Sequence, residues 1–431
     1  MRVAQINVTA TLSTGRIAVE ISRVLMAEGH KALVAFSRGY PPMEVPWLRV
    51  GNRVDVLCHA AFSRLTDRAG FYGKMATRKL VRQLRAYRPD VVHLHNLHGY
   101  YLHLPTLFTF LRETGVPVVW TLHDCWPYTG HCAYYTMARG DASREEGRTH
   151  RRLTTRGCGR WKRGCGQCPL KHAYPQSLLR DQSARNWHEK RALETGLPRM
   201  ALVTPSRWLR AEVEKSFLGE YPVWVIPSGI DLRAFRPCED PDYLKEIAEQ
   251  HKLSQFPEKR VVLGVASTWD ERKGLRDFLE LSDCLGEEYL IVLVGLSEWQ
   301  RERLPEGIVG IRHTRNLREL CVLYTAADLY VSLSHEETMG MTLIEAMACG
   351  TQVLCYNATA LPESVTPAVG SVVPMGNIEA VAAEVVRLCN EPKSAAACRS
   401  HAERYDRRER FLEYIRLYER LVDGVGPYID E

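Results

Sequence analysis

The feature that most constrains this chain is an alternation that occurs twice along it. Short, almost continuously apolar runs are separated by stretches of helical periodicity. In the first half the runs are "RVAQINV", "KALVAFS", "DVVHLHN", "PVVWTLHD" and "ALVTPS", with "GRIAVEISRVLMAEG" and "KMATRKLVRQLRAY" as helices between them. A strand that is apolar on both faces must be covered on both faces. A helix between successive strands covers one face and returns the chain parallel to where it began, so the pattern predicts a parallel sheet of βαβ units. Near residue 235 the pattern pauses in the Pro- and acid-rich "RAFRPCEDPDYL" and then restarts. The second series is "RVVLGVAS", helix 273–285, "YLIVLVG", helix 317–327, "LYVSLS", helix 341–349, "QVLCYN" and helix 377–390. The expected fold is therefore α/β, with two doubly wound Rossmann-like domains, 1–220 and 221–404. The segment 405–431 reads as a helix with Phe411, Ile415, Tyr418 and Leu421 on its apolar side, and is expected to pack back on the first domain.

Bulk properties narrow the function classes. The longest apolar runs, such as "YLIVLVGL" at 289–296, fall far short of the roughly 20 residues of a membrane-spanning helix. The start, "MRVAQINVTA", reads as a first strand and not as a signal peptide. Thirteen cysteines, most of them single within apolar segments, suggest thiols in a reducing compartment. The expected location is the cytoplasm, with peripheral attachment to the inner membrane face allowed. A net charge of +6 permits attraction to phosphates or anionic lipid without requiring either.

The stretch 334–350 reads "SHEETMGMTLIEAMACG". In open α/β sheets ligands bind beyond the carboxyl ends of the strands, and "LYVSLS" ends at Ser334. The next helix starts near Met341, so the backbone N–H groups near Gly340 and Met341 form an anion site. Glu337 lies in the loop and Glu345 on the helix, beside the face formed by Met341, Ile344 and Ala348. Carboxylates there cannot hold a phosphate, but they accept hydrogen bonds from sugar hydroxyls.

Glu337, the seven residues that follow, Glu345 and then "AMACGTQVL" resemble the Glu-x7-Glu motif of family-4 retaining glycosyltransferases of the GT-B fold. The resemblance extends over nearly the whole chain. It implies two Rossmann-like domains facing across a cleft, with Glu345 on the nucleotide ribose and Glu337 at the donor sugar. It also implies that Lys273, in "GVASTWDERKGL", clamps the donor diphosphate. The family's Arg a few residues upstream is absent, since Ser267 or Thr268 stands near its place; Arg272 is the candidate substitute. Gly15, in "STG" after the first strand, matches a turn near donor phosphate and acceptor. His95 and Asn96 end one strand, His123 and Asp124 another, and the resemblance puts His123 at the reaction centre and the four together at the acceptor. His93, His98 and His103 are assigned to ordinary satisfied polar positions. The resemblance assigns catalysis to His123, Lys273 and Glu337. The implied reaction moves a sugar from a UDP- or GDP-sugar to an acceptor hydroxyl, saccharide or lipid-linked, in cell-surface polysaccharide synthesis. No catalytic metal is expected, and "DPD" at 240–242 is read as a turn.

Residues 125–175 break the alternation. They contain Cys132, Cys158, Cys165 and Cys168, and the last two have zinc-knuckle spacing. A structural Zn²⁺ on these four, with His131 as a possible replacement ligand, would order a loop that lacks its own core. The insert resembles one in a subset of family-4 enzymes of capsule and colanic-acid-type exopolysaccharide synthesis. It is also basic: Arg139, Arg144, Arg148, Arg151, Arg152, Arg156, Arg160, Lys162 and Arg163 suit anionic lipid head groups or a lipid-linked pyrophosphate. Zinc plus basic residues also describes a nucleic-acid-binding protein, which would leave Glu337, Glu345 and the two α/β halves unexplained, so no nucleic acid is expected. A GT-B phosphorylase is the other alternative; it would need a pyridoxal phosphate lysine, for which there is no dedicated signal.

Overall fold

The computed structural model describes residues 1–11, 13–138 and 157–424. Two compact units emerge, residues 1–227 with the segment from Arg408 onward, and Ser228–Arg407.

The first unit holds a seven-stranded parallel sheet. Its strands are β1 (Arg2–Ile6), β2 (Lys31–Phe36), β3 (Trp47–Arg49), β4 (Val91–Leu94), β5 (Val118–Thr121), β6 (Met200–Thr204) and β7 (Val223–Val225). They are ordered β3-β2-β1-β4-β5-β6-β7. Successive side chains point to opposite faces. On β5, Val118 and Trp120 enter one core cluster and Val119 the other. The helix Arg407–Val422 covers the second face with Phe411, Tyr414, Ile415, Leu417, Tyr418 and Leu421. His93 of β4 lies fully buried under it. Its Nδ1 meets Tyr418 Oη at 2.6 Å and its Nε2 meets Thr121 Oγ1 at 2.8 Å, so it is a satisfied core histidine.

The second unit holds a six-stranded parallel sheet of β8 (Arg260–Val265), β9 (Tyr289–Val294), β10 (Ile308–Ile311), β11 (Leu329–Ser332), β12 (Val353–Tyr356) and β13 (Gly370–Val373). The order is β10-β9-β8-β11-β12-β13. In each sheet the winding reverses once, between β1 and β4 in the first and between β8 and β11 in the second. At such a reversal the chain leaves the two strands toward opposite faces of the sheet, which is where open α/β sheets bind ligands.

Four short strands went unread in the sequence, β3, β7, β10 and β13, and all four are sheet edges. Near residue 240 the expected turn is instead a helix start: the Asp240 carboxylate accepts from Tyr243 N at 3.1 Å and caps the helix Pro241–Gln250.

Burying the helix Arg407–Val422 makes it part of the first unit's core. Phe411→Ala should cost about 3–5 kcal/mol of unfolding free energy, and Arg416→Ala, at an exposed position, under about 0.5 kcal/mol. Urea unfolding midpoints check this; equal effects would contradict the packing.

Candidate functional site

In the second unit the loops after β8 and β11 meet. The first runs through the turn Glu271–Lys273, capped by Asp270, whose carboxylate accepts from Lys273 N at 2.9 Å. Gly274 follows in the left-handed conformation at φ 73°, and a Cβ there would lie 2.1 Å from the Leu333 carbonyl oxygen. Only glycine lets the two loops approach so closely. His335 N then donates to Arg272 O at 2.8 Å and ties them together.

This junction positions Lys273 and Arg272 at Glu337. The Lys273 ammonium donates directly to Glu337 Oε1, and the Arg272 guanidinium lies 4.0 Å from the same oxygen while donating to Glu336 O at 3.0 Å. Burial would push the Glu337 carboxyl up. Lys273 and then Arg272 outweigh it and hold the carboxyl below the usual carboxylate range. Of the adjacent acids, Glu336 is buried at 1% exposure and Glu337 is the half-buried one. Glu337 is clamped at its backbone by Thr359, which accepts from Glu337 N and donates to Glu337 O, each at 2.8 Å. Thr359 itself sits at φ 49°, a rare conformation for a β-branched residue.

The helix Met341–Ala348 begins after Gly340 with no side chain capping it, so its first backbone N–H groups carry the dipole's positive end. About one turn further on, Glu345 is half-buried among buried Leu343, Ile344, Ala346, Met347 and Ala348. Its Oε2 accepts from Tyr324 Oη at 3.0 Å. A partner for Glu345 is therefore supplied by the protein itself, from the helix Leu317–Ala326, which no spacing in the sequence connects to it. Thr268, near the place of the missing upstream arginine, is exposed and donates to Ser267 O at 2.9 Å.

The first unit's residues gather at its own reversal point. Gly15 lies within the first helix, Ser13–Ala27, and not before it. Asn96 N donates to Asn7 Oδ1 at 3.2 Å, joining the loops after β1 and β4. His95 is 1% exposed and bonded at both ring nitrogens, to Gln5 Oε1 at 2.8 Å and to His123 Nε2 at 3.1 Å. It stands behind His123.

The direction of this chain of bonds follows from its inner end. Gln5 Nε2 donates to Ala18 O and Ser22 Oγ at 2.8 and 2.6 Å, so the Gln5 oxygen faces His95. His95 is held neutral, because burial pulls its pKa well below the ordinary value. Its Nε2–H donates to Gln5, and its Nδ1 accepts from His123 Nε2–H. Burial likewise lowers His123, to about 4, against a raising effect of Asp124. His123 is therefore neutral at pH 7, with Nδ1 as its acceptor nitrogen. Asp124 accepts from Trp126 N at 2.9 Å and pairs with His98 Nε2 at 2.7 Å, and His98 Nδ1 contacts Tyr174 Oη at 2.9 Å. His98, buried and bonded at both ring nitrogens, is thus a satisfied polar residue that stands beside Asp124. His103 caps the helix Leu104–Thr114.

The insert is anchored by Trp161, buried against Tyr128 and Tyr135, with its carbonyl accepting from Trp187 Nε1 at 2.7 Å. Cys132 lies close to Cys168 and Cys165, and Cys158 lies close to Cys165. Among the described residues, no three His, Cys, Asp or Glu side chains are disposed to hold a metal ion. Within the set, Cys165 Sγ accepts from Gly130 N at 3.1 Å. His131 is engaged elsewhere, its Nδ1 meeting the Asp67 carboxylate. Arg160 donates to Gly166 O at 2.9 Å, while Lys162 and Arg163 are exposed. Arg139, Arg144, Arg148, Arg151, Arg152 and Arg156 lie outside the described residues.

Residues 14–234 match the profile of Glycosyltransferase Family 4, and residues 246–405 that of Glycosyl transferases group 1. A putative colanic acid biosynthesis glycosyl transferase of Escherichia coli K12, WcaC, is 24% identical over 387 residues, 86% of this chain and 85% of its own. O-antigen chain mannosyltransferase B of Escherichia coli is 31% identical over 132 residues, 28% of this chain and 34% of its own. Among solved structures, the sucrose-phosphate synthase of Thermosynechococcus elongatus matches with a TM-score of 0.67 at 17% identity, over 98% of this chain and 99% of that one. Anabaena HepE in complex with UDP-glucose matches with a TM-score of 0.63 at 13% identity, over 97% and 99%. At such identities the likeness establishes the fold, which is GT-B.

The neutral histidines carry a pH signature. The unfolded chain binds protons on His95 and His123 near pH 6.5, whereas burial holds His123 down to about 4 in the fold and His95 below its ordinary value. Their contribution to stability is complete above about pH 6.5 and is lost as pH falls toward about 4. The urea midpoint should drop between pH 7 and pH 5, and less steeply in His95→Gln with His123→Gln. An identical slope in that variant would contradict the assignment.

Proposed function

The chain belongs to glycosyltransferase family 4, and from that membership we propose a retaining hexosyl transfer from a UDP- or GDP-sugar to the hydroxyl of a lipid-linked saccharide in cell-surface polysaccharide synthesis. The observation that carries the donor half is the uncapped helix start at Met341 flanked by Lys273 and Arg272 on one side and Glu345 on the other. A nucleoside diphosphate needs N–H donors and cations for its phosphates and a carboxylate for its ribose. In this reading the Met341 and Thr342 N–H groups and Lys273 take the diphosphate. Arg272 stands in for the absent upstream arginine. Glu345 accepts from the ribose hydroxyls, and Glu337 from the donor sugar once the diphosphate draws Lys273 away.

Transfer breaks the bond between the sugar's anomeric carbon and the diphosphate oxygen, and the electron pair leaves with the diphosphate. The anomeric carbon bonds to the acceptor oxygen, whose proton is released. Positive charge builds on the sugar ring and negative charge on the leaving group, so cations and helix N–H groups at the diphosphate lower the barrier. In this reading His123, oriented by His95, faces a sugar or acceptor hydroxyl, with Asp124 and Asn96 assigned to the acceptor and Gly15 to the donor. No catalytic metal enters the reading. The names of the colanic acid and O-antigen relatives support a polysaccharide acceptor.

Thermal unfolding with UDP, GDP and ADP tests the donor reading. One diphosphate at 100 times its Kd should stabilise the chain by about 2.7 kcal/mol. Glu345→Ala should weaken its binding about tenfold, for the loss of a charge-assisted hydrogen bond of roughly 1.5 kcal/mol. No stabilisation by any nucleotide, or unchanged affinity in the variant, would contradict it.

We propose also that Cys132, Cys158, Cys165 and Cys168 bind one structural Zn²⁺, a reading supported by their place together in one segment with little regular structure; the metal would have to draw the thiols closer than they stand here. Metal analysis of the purified chain should find one zinc, lost in Cys165→Ser with Cys168→Ser together with a lowered melting temperature. A metal-free protein whose melting temperature ignores chelator would contradict it.

A further inference from the structure

The helix Arg53–Thr66 is amphipathic with its apolar side turned outward. Its inward positions are polar: His59 and Ser63 are each 2% exposed. Its outward positions are Val54 at 66%, Leu57 at 68%, Phe62 at 51% and Leu65 at 44%, with Cys58 and Ala61 also exposed. These six fall at i, i+3, i+4, i+7, i+8 and i+11, one stripe along the helix. The stripe extends beyond the helix. Leu178 N donates to Arg64 O at 2.7 Å, and Leu178 and Leu179 are 49% and 69% exposed. Single exposed apolar residues need no explanation, but a contiguous patch of eight marks an interaction surface.

Charge says what the surface meets. At 100° per residue, Arg53 and Arg64 fall together along one edge of the stripe, both exposed, and exposed Arg180 follows Leu179. On the other edge the only acid of the helix, Asp55, is occupied: its carboxylate accepts from Asn52 N at 2.9 Å in a capping box. A greasy stripe bordered by arginines fits a bilayer interface, where apolar side chains enter the acyl boundary and guanidinium groups meet phosphates. A second copy is the weaker fit. A helix of this length offers a strip of roughly 21 by 10 Å, well under the about 800 Å² per partner of a stable dimer.

We propose that the outward face of Arg53–Thr66, extended by Leu178 and Leu179, docks on an anionic lipid surface with the helix lying in the membrane plane. No helix among the described residues is long and apolar enough to cross a membrane, so docking of this kind is peripheral. The placement rests on the helix and its arginines and does not depend on the donor site. It also differs from the basic insert that the sequence suggested for lipid contact.

Vesicle flotation of the full chain tests this. The wild type should float with phosphatidylcholine–phosphatidylglycerol vesicles and much less with phosphatidylcholine alone. Leu57→Asp with Phe62→Asp should lower flotation about tenfold or more at an unchanged melting temperature. Arg53→Glu with Arg64→Glu should remove the preference for anionic vesicles. A wild type that does not float, or an aspartate variant that floats equally, overturns the proposal. So does a wild-type dimer that this variant dissociates without any vesicle binding, which would assign the face to a second copy. A nucleotide-induced thermal shift that persists in the variant separates loss of docking from loss of the donor site.

Discussion

The carbonyl oxygen of Leu333 stands where the Cβ of any residue but glycine would have to be at position 274. The second unit's site depends on that contact. It brings the loop after β8 against the loop after β11, and the backbone bond from His335 to Arg272 fixes their register. Lys273 and Arg272, neighbours in sequence, are thereby both delivered to Glu337, 64 residues from Lys273. A side chain at 274 would push the loops apart and remove both cations from the carboxylate together. The left-handed φ of Gly274 is needed for the same reason, since the turn capped by Asp270 has to fold back on itself within a few residues.

The two units handle charge in opposite ways. In the second, a half-buried carboxylate is kept ionised by adjacent cations, next to a helix start rich in unpaired N–H character. In the proposed donor reading that arrangement is poised, because both partners of the Lys273–Glu337 pair would remain paired if a diphosphate took the ammonium and a hydroxyl the carboxylate. In the first unit the reversal point is lined by histidines that burial keeps neutral, with proton positions set from the Gln5 end outward. A neutral His123 adds no buried charge of its own to this reversal point.

Much of this was legible in the sequence because parallel sheets buried on both faces leave nearly continuous apolar runs, and because a strand end followed by a helix start locates a crevice. The central strands and the helix at Met341 follow from that logic. The edge strands do not. β3 and β7 have three residues each and are only partly covered, and β10 and β13 have half-exposed interiors, so neither alternation nor a continuous apolar run marks them. Partners brought together from afar were equally hidden. Tyr324 on Glu345, Thr359 on Glu337, Gln5 behind His95 and His98 beside Asp124 come from other elements, and no spacing rule connects them. The outward stripe of Arg53–Thr66 carried a legible helical period, but period alone does not say which face is solvent.

The most direct test of the central claim is a structure of the chain with a bound nucleoside diphosphate. The account predicts the diphosphate at the N–H groups of Met341 and Thr342 with the Lys273 ammonium turned to it from Glu337, and the ribose hydroxyls on Glu345. A diphosphate bound elsewhere, with the Lys273–Glu337 pair intact and Glu345 still held only by the protein, would contradict it.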